Sequence, residues 1–239
     1  MTLLLGVVFF GFLLFSPIVQ VREIQVTRES PRLDIEGVQT TLTPIFGRHL
    51  FFLSSFEVIN LLKESIPDIG EVRIGKTYPS TLNVRIALHP LVARLHIVDP
   101  EASTAGSGTG VTLDFLTDQG IYIATSSVDD TEVLPDITLV DWGVRPEPGQ
   151  MLIEPAFLER MNAAELTLLR QFGQEIEERI VFLRAQEFHL RVGGIELWFD
   201  LRTPLKDQID RYRTFLREVP ISEVRQHIDL RTEDRVVYQ

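Results

Sequence analysis

Between Glu71 and Leu88 apolar and polar residues alternate, first through Val72 and Ile74, then through Leu82, Val84, Ile86 and Leu88. A period of two predicts two half-buried strands, with Leu82, Val84 and Ile86 facing a core and Asn83, Arg85 and Ala87 facing away. Pro79 has a fixed φ and no N–H, so Tyr78-Pro79 turns the chain between them, and Pro90 stops the second strand. Upstream, Val21 to Thr27 alternates as an earlier strand. Ile35, Val38, Leu42 and Ile45 recur at spacings of three and four, which predicts a short helix over 34–46. Ser54 stands three residues before Glu57, the signature of a capping box, and Phe56, Ile59, Leu62 and Ile66 follow at helical spacing until Pro67. The order strand, helix, helix, strand, strand predicts a small sheet that hides one face under two amphipathic helices.

Farther along, the small polar residues of 100–110 (PEASTAGSGTG) predict a flexible loop. Val111–Phe115 and Ile121–Ala124 flank Thr117-Asp118-Gln119-Gly120, a hairpin signal. Pro155 opens a helix whose buried stripe is Phe157, Met161, Ala164, Leu168 and Phe172. Residues 181–201 read as two strands around Gly193-Gly194, a pair suited to the positive φ angles of a hairpin turn. Trp198 falls on the face opposite Leu197, either as an exposed contact residue or packed under the preceding helix. Thr203-Pro204 caps a last helix with the stripe Leu205, Ile209, Tyr212 and Leu216. The tail reads as a strand at Ile228-Asp229-Leu230-Arg231, a polar turn, and a final strand at 236–238 with nothing after it to cover its edge.

Leu3 to Val19 is uncharged and mostly apolar. Its length suits a transmembrane anchor over 1–20, and a cleaved signal peptide is the alternative. The remaining composition narrows the function by exclusion. Net charge is −11, and residues 94–150 carry ten acidic side chains against two basic ones. No segment has the basic excess that phosphate neutralisation demands, so nucleic acid is not an expected partner. The chain has no cysteine, which excludes thiol catalysis, thiolate zinc sites and disulfides. Its five histidines are scattered, and His189 reads as a surface side chain among polar neighbours. Gly106, Gly108 and Gly110 are not followed by Lys-Ser/Thr, so they make no phosphate cradle. Asp129, Asp130, Glu132 and Asp136 lack calcium-loop spacing and read as a solvated acidic loop. No enzyme, cofactor, metal or small-molecule ligand is expected. A binding architecture remains.

Tyr78-Pro79-Ser80-Thr81-Leu82, the alternating strand after it and Pro90-Leu91-Val92-Ala93 resemble the end of a POTRA domain of the FtsQ/DivIB cell-division family, with Leu88-His89 where that family has a charged pair. Ile228-Asp229-Leu230-Arg231, a turn and a final strand resemble the end of the same family's second domain. The resemblance spans roughly residues 20–239. It implies an α+β protein: a transmembrane helix at 1–20, a POTRA domain (β-α-α-β-β) at 21–93, and a mixed FtsQ-type domain at 94–239. It further implies a single-pass scaffold of the bacterial divisome, at the septal inner membrane with its bulk outside the cytoplasm. Its partners would be FtsB/DivIC-like and FtsL-like chains, received on the C-terminal edge strand by β-augmentation. The candidate partner-binding residues are Arg231, Thr232, Glu233, Asp234, Val236, Val237 and Tyr238. Arg231 carries a fork of donors suited to a partner carboxylate; the alternative is that it pairs with Asp229 or an acid on the next strand. Two rival functions stand beside this one. A POTRA-bearing chaperone or transport component would carry repeated units or a barrel, and an exported enzyme or ligand-binding domain would need a convergent polar pocket.

Overall fold

Leu82, Val84 and Ile86 are almost wholly sealed from solvent, and they form the floor of the first of two units, residues 1–90 and 91–239. The computed structural model describes residues 11, 16–97, 113–125, 133–140, 146–232 and 235–239. The architecture is α+β: among the described residues, twelve strands in two sheets and four α-helices.

In the first unit β1 (Glu23–Arg28), β2 (Ile69–Thr77) and β3 (Thr81–Leu88) lie in the order β1-β3-β2. β3 runs parallel to β1 and antiparallel to β2. The Tyr78-Pro79-Ser80 turn serves both pairings, because the Ser80 carbonyl accepts from the N–H groups of Arg22 and Glu23 at 3.0 and 3.3 Å. Helices α1 (Ile35–Leu42) and α2 (Ser55–Ser65) supply Val38, Leu42, Val58 and Leu62 to the shared core. Asp34 caps α1 by accepting from the Glu36 N–H at 3.0 Å. The capping box expected at α2 does not form. Ser54 makes no side-chain cap bond, and Glu57 pairs with Arg48 instead. The α2 stripe is also rotated from the expected one, since Phe56 in its first turn is 71% exposed and Val58 takes the buried place. A largely buried ion pair, Arg32–Asp68 at 3.0 Å, ties the approach to α1 to the start of β2; Arg32 also donates to the His89 carbonyl at 2.6 Å.

The transmembrane helix expected over 1–20 is not supported. Among the described residues no helix is long and apolar enough to cross a membrane. Pro17–Val19 form one 3-10 turn, Ser16 is buried, and the Val19 carbonyl accepts from the Leu50 N–H at 2.8 Å. The last residues of the expected span are therefore committed to the first unit. Residues 1–10 and 12–15 lie outside the described residues.

The second unit is built on a nine-stranded sheet, ordered β12-β11-β10-β9-β8-β7-β4-β5-β6. Its strands are β4 (Leu91–Ile97), β5 (Leu113–Thr117), β6 (Tyr122–Thr125), β7 (Asp136–Leu139), β8 (Glu178–Phe182), β9 (Glu187–Val192), β10 (Ile195–Asp200), β11 (His227–Asp229) and β12 (Val237–Tyr238). Leu91–Ala93 belong to β4, so the second unit begins at Leu91. Residues 181–201 extend into three strands rather than two: β8 pairs antiparallel with β9, and Gly193-Gly194, both at positive φ, turn β9 into β10. Helices α3 (Pro155–Phe172) and α4 (Leu205–Glu218) cover one face, where Phe157, Met161, Leu168, Ile209 and Tyr212 meet Leu190, Leu197 and Phe199. The stripe of α4 is Gln208, Ile209, Tyr212 and Phe215, with Leu205 and Leu216 only partly buried against the core. The loop expected at 100–110 and the acidic residues Asp129, Asp130 and Glu132 lie outside the described residues.

Candidate partner-binding edge

The tail reaches the end of the sheet through β11, which pairs parallel with β10 and antiparallel with β12. The Gln239 N–H donates to the His227 carbonyl at 3.1 Å, and the Gln239 carbonyl accepts from Gln226 at 2.7 Å. An antiparallel ladder alternates between bonded and non-bonded pairs, so the N–H and C=O of Tyr238, opposite Ile228, point away from β11. No strand among the described residues pairs with that outer edge. Pleating sends Tyr238 to the helix side, where its ring meets Phe215 edge-on at 5.1 Å, and sends Val237 to the open face beside Asp229. Both side chains are 43% exposed. Val236 is half-buried against the core.

Between α4 and this tail runs a groove of about 650 Å³. Phe215, Val219, Val236 and Tyr238 give it an apolar floor, with Asp210 and Arg235 among its polar walls. Arg211 of α4 holds the tail in place by donating to the Leu230 carbonyl through Nε at 3.1 Å and through its terminal nitrogen at 2.7 Å. The N-terminus of α4 carries no side-chain cap at Pro204. The fully buried amide of Gln208 instead ties this helix start to the chain that leads into it. It donates to the carbonyls of Asp200 and Thr203, each at 2.9 Å, and accepts from the Asp200 N–H at 3.1 Å. This locks the end of β10 to the start of α4, and therefore locks the wall of the groove.

Arg231 faces inward. Its fork takes both oxygens of Asp229, Nε to Oδ1 at 2.9 Å and a terminal nitrogen to Oδ2 at 2.7 Å, and its other terminal nitrogen pairs with Glu187. The guanidinium also lies 4.8 Å from the Trp198 ring centroid. Each of the three guanidinium nitrogens is engaged within the chain, which commits the fork to Asp229 and Glu187. Burial pushes the Asp229 carboxyl up, but the Arg231 hydrogen bonds outweigh it and hold the group below the usual aspartate range. Arg231 thus serves as a clasp that fixes β11 against β9. Thr232 is half-buried beside it, and Glu233 and Asp234 lie outside the described residues.

The open face of the sheet carries a stack of rings. Trp198 lies between His189 (4.6 Å, 12°) and His227 (4.0 Å, 4°), and Phe182 packs on the far side of His189 at 4.6 Å. This face is opposite the helices, so Trp198 is neither under α3 nor an isolated exposed ring. The stack also buries His189, at 7% exposure, and corrects its reading as a surface side chain. Burial drives its pKa from 6.5 down to about 4, against a smaller opposing pull from Glu196.

Of the candidate residues, Val236, Val237 and Tyr238 come together at the edge, whereas Arg231 is turned away from it. The groove-lining residues Phe215 and Arg211 were not singled out by the sequence. The available signal was the repeat Gln208–Tyr212–Phe215, which a stripe drawn through Leu205 and Leu216 obscures. Among the described residues no group of three or more His, Asp or Glu could hold a metal ion. No protein-family model matches the chain, and no curated protein matches it.

Proposed function

We propose that this protein is a non-enzymatic docking scaffold of the FtsQ/DivIB division type, which holds an FtsB/DivIC-like chain, and through it an FtsL-like chain, on the outer edge of β12. The observation that carries this reading is the end of the nine-stranded sheet at a two-residue strand whose outward backbone groups have no partner strand among the described residues. An extended segment adding there would gain main-chain hydrogen bonds. Its alternate side chains would fall into the groove beside Phe215 and onto the open face beside Val237. The POTRA-like order of the first unit and the Ile228-Asp229-Leu230-Arg231 strand support the same assignment. On this reading the protein works outside the cytoplasm, at the division septum.

The test is a photo-crosslinking amino acid in place of Val237, which is exposed and lies at the rim of the edge. In dividing cells of the natural host it should trap an FtsB/DivIC-like chain. Crosslinks confined to secretion or outer-membrane assembly proteins would overturn the proposal in favour of a transport role.

A further inference from the structure

All four exposed phenylalanines of the described residues, Phe46, Phe51, Phe52 and Phe56, lie at one end of the first unit, with Ile18 and Tyr78 also exposed there. Hydrogen bonds bring these segments together. The 46–53 loop is tied to the entering chain by Gly47 N–H to the Val21 carbonyl (2.9 Å), Val21 N–H to the Arg48 carbonyl (2.9 Å) and Leu50 N–H to the Val19 carbonyl (2.8 Å). The Arg48–Glu57 pair joins the loop to the first turn of α2, next to Phe56. Lys76 of β2 donates to the Leu53 carbonyl at 2.6 Å, which joins it to the strand that leads into the Tyr78 turn. The rings find little cover within the chain. Phe51 and Phe52 meet edge-on at 5.5 Å, and Phe52 leans on His49 at 4.9 Å, yet both stay more than half exposed. An apolar cluster of this size left in water marks an interaction surface.

We infer that this aromatic end of the first unit rests on a phospholipid bilayer, with the phenylalanines seated at the headgroup–acyl boundary. Two observations select lipid as the occupant. The first is continuity: the uncharged stretch Leu3–Phe15 of the sequence enters the unit at this end, through the Ser16–Val19 segment bonded to the same loop. A stretch of that composition partitions out of water and holds whatever is covalently next to it close to the apolar phase. The second is charge. Arg22 and Lys76 stand at this end, and among the described residues their side chains donate to the carbonyls of Pro17 and Leu53 and to no carboxylate, a placement suited to lipid phosphates around a buried aromatic cluster. The inference is independent of what binds the β12 edge.

Because the chain has no cysteine, single labels can be placed at will. The full chain carrying F52C, labelled with an environment-sensitive fluorophore, would be mixed with vesicles of equal parts phosphatidylcholine and phosphatidylglycerol. The same label at T27C, exposed on β1 away from the chain entry, is the control. The expected result is a several-fold rise in emission at position 52, most of it removed by a nitroxide carried on the lipid near the headgroup, with neither effect at position 27. A label at 52 that behaves like the one at 27 would overturn the inference. So would a rise that the lipid nitroxide does not quench, because protein, either the apolar stretch or a second copy, would then be covering the patch.

Discussion

Three residues carry more of this fold than their place in the sequence suggests. Gly120 sits at φ +70°, and a Cβ there would drive into the Ile153 carbonyl, whose backbone packs against the hairpin turn. G120A therefore combines a left-handed backbone with a clash against main chain. It should cost at least about 2 kcal/mol in urea unfolding; unchanged unfolding would show that the turn relaxes freely. His189 is held neutral by burial, with a pKa near 4 against 6.5 when unfolded. Above pH 6.5 neither state takes the proton. Between 6.5 and about 4 the unfolded chain takes it and the folded chain does not, so stability is full at pH 7 and falls as the pH drops, by roughly 3 kcal/mol at most from this group. H189Q should flatten urea stability between pH 7 and 4.5 relative to wild type, and parallel curves would contradict the assignment. Arg231 pairs with Asp229 and Glu187, so R231E leaves two half-buried carboxylates facing a third. We expect a loss of about 2–4 kcal/mol in stability. A fully stable variant with impaired partner binding would return Arg231 to the interface.

At the scale of elements, periodicity alone made β3 and its partners legible, because their buried and exposed residues alternate without interruption. V84D places a carboxylate at a position 1% exposed, flanked by Val26 and Ile74, and should unfold the first unit at a cost of several kcal/mol. Melting like wild type would remove Val84 from the core. The Gly193-Gly194 turn was legible too, since its backbone demands positive φ. Other features depend on tertiary partners that local pattern does not contain. Glu57 leaves the capping box because Arg48 from the preceding loop outcompetes it. Gln208 enters the core because Asp200 and Thr203 satisfy its amide. His189 is buried by rings from neighbouring strands on both sides. The apolar run before Gln20 shows the same limit from the other direction. Hydrophobicity suggested one continuous span, whereas backbone bonds to the 46–53 loop draw its last residues into the first unit.

For the whole molecule, the proposed function requires that a partner pair with the backbone of β12, rather than merely touch side chains near it. The existence of a last strand was legible from its β-rich residues. That the tail is pinned by Arg211 and Arg231, leaving Tyr238 to present its N–H outward, was not. Two substitutions at Tyr238 separate backbone from side chain. Y238A removes the ring and keeps the outward N–H. Y238P removes the ring and that N–H, and an edge strand tolerates proline on its outer side. Affinity of both variants for the extracytoplasmic segment of the host's FtsB/DivIC-like chain is the direct measurement. Y238P should bind at least about tenfold more weakly than Y238A, the loss of a main-chain hydrogen bond worth about 1.4 kcal/mol, with equal folding stability. Equal binding by the two variants would contradict strand addition at this edge.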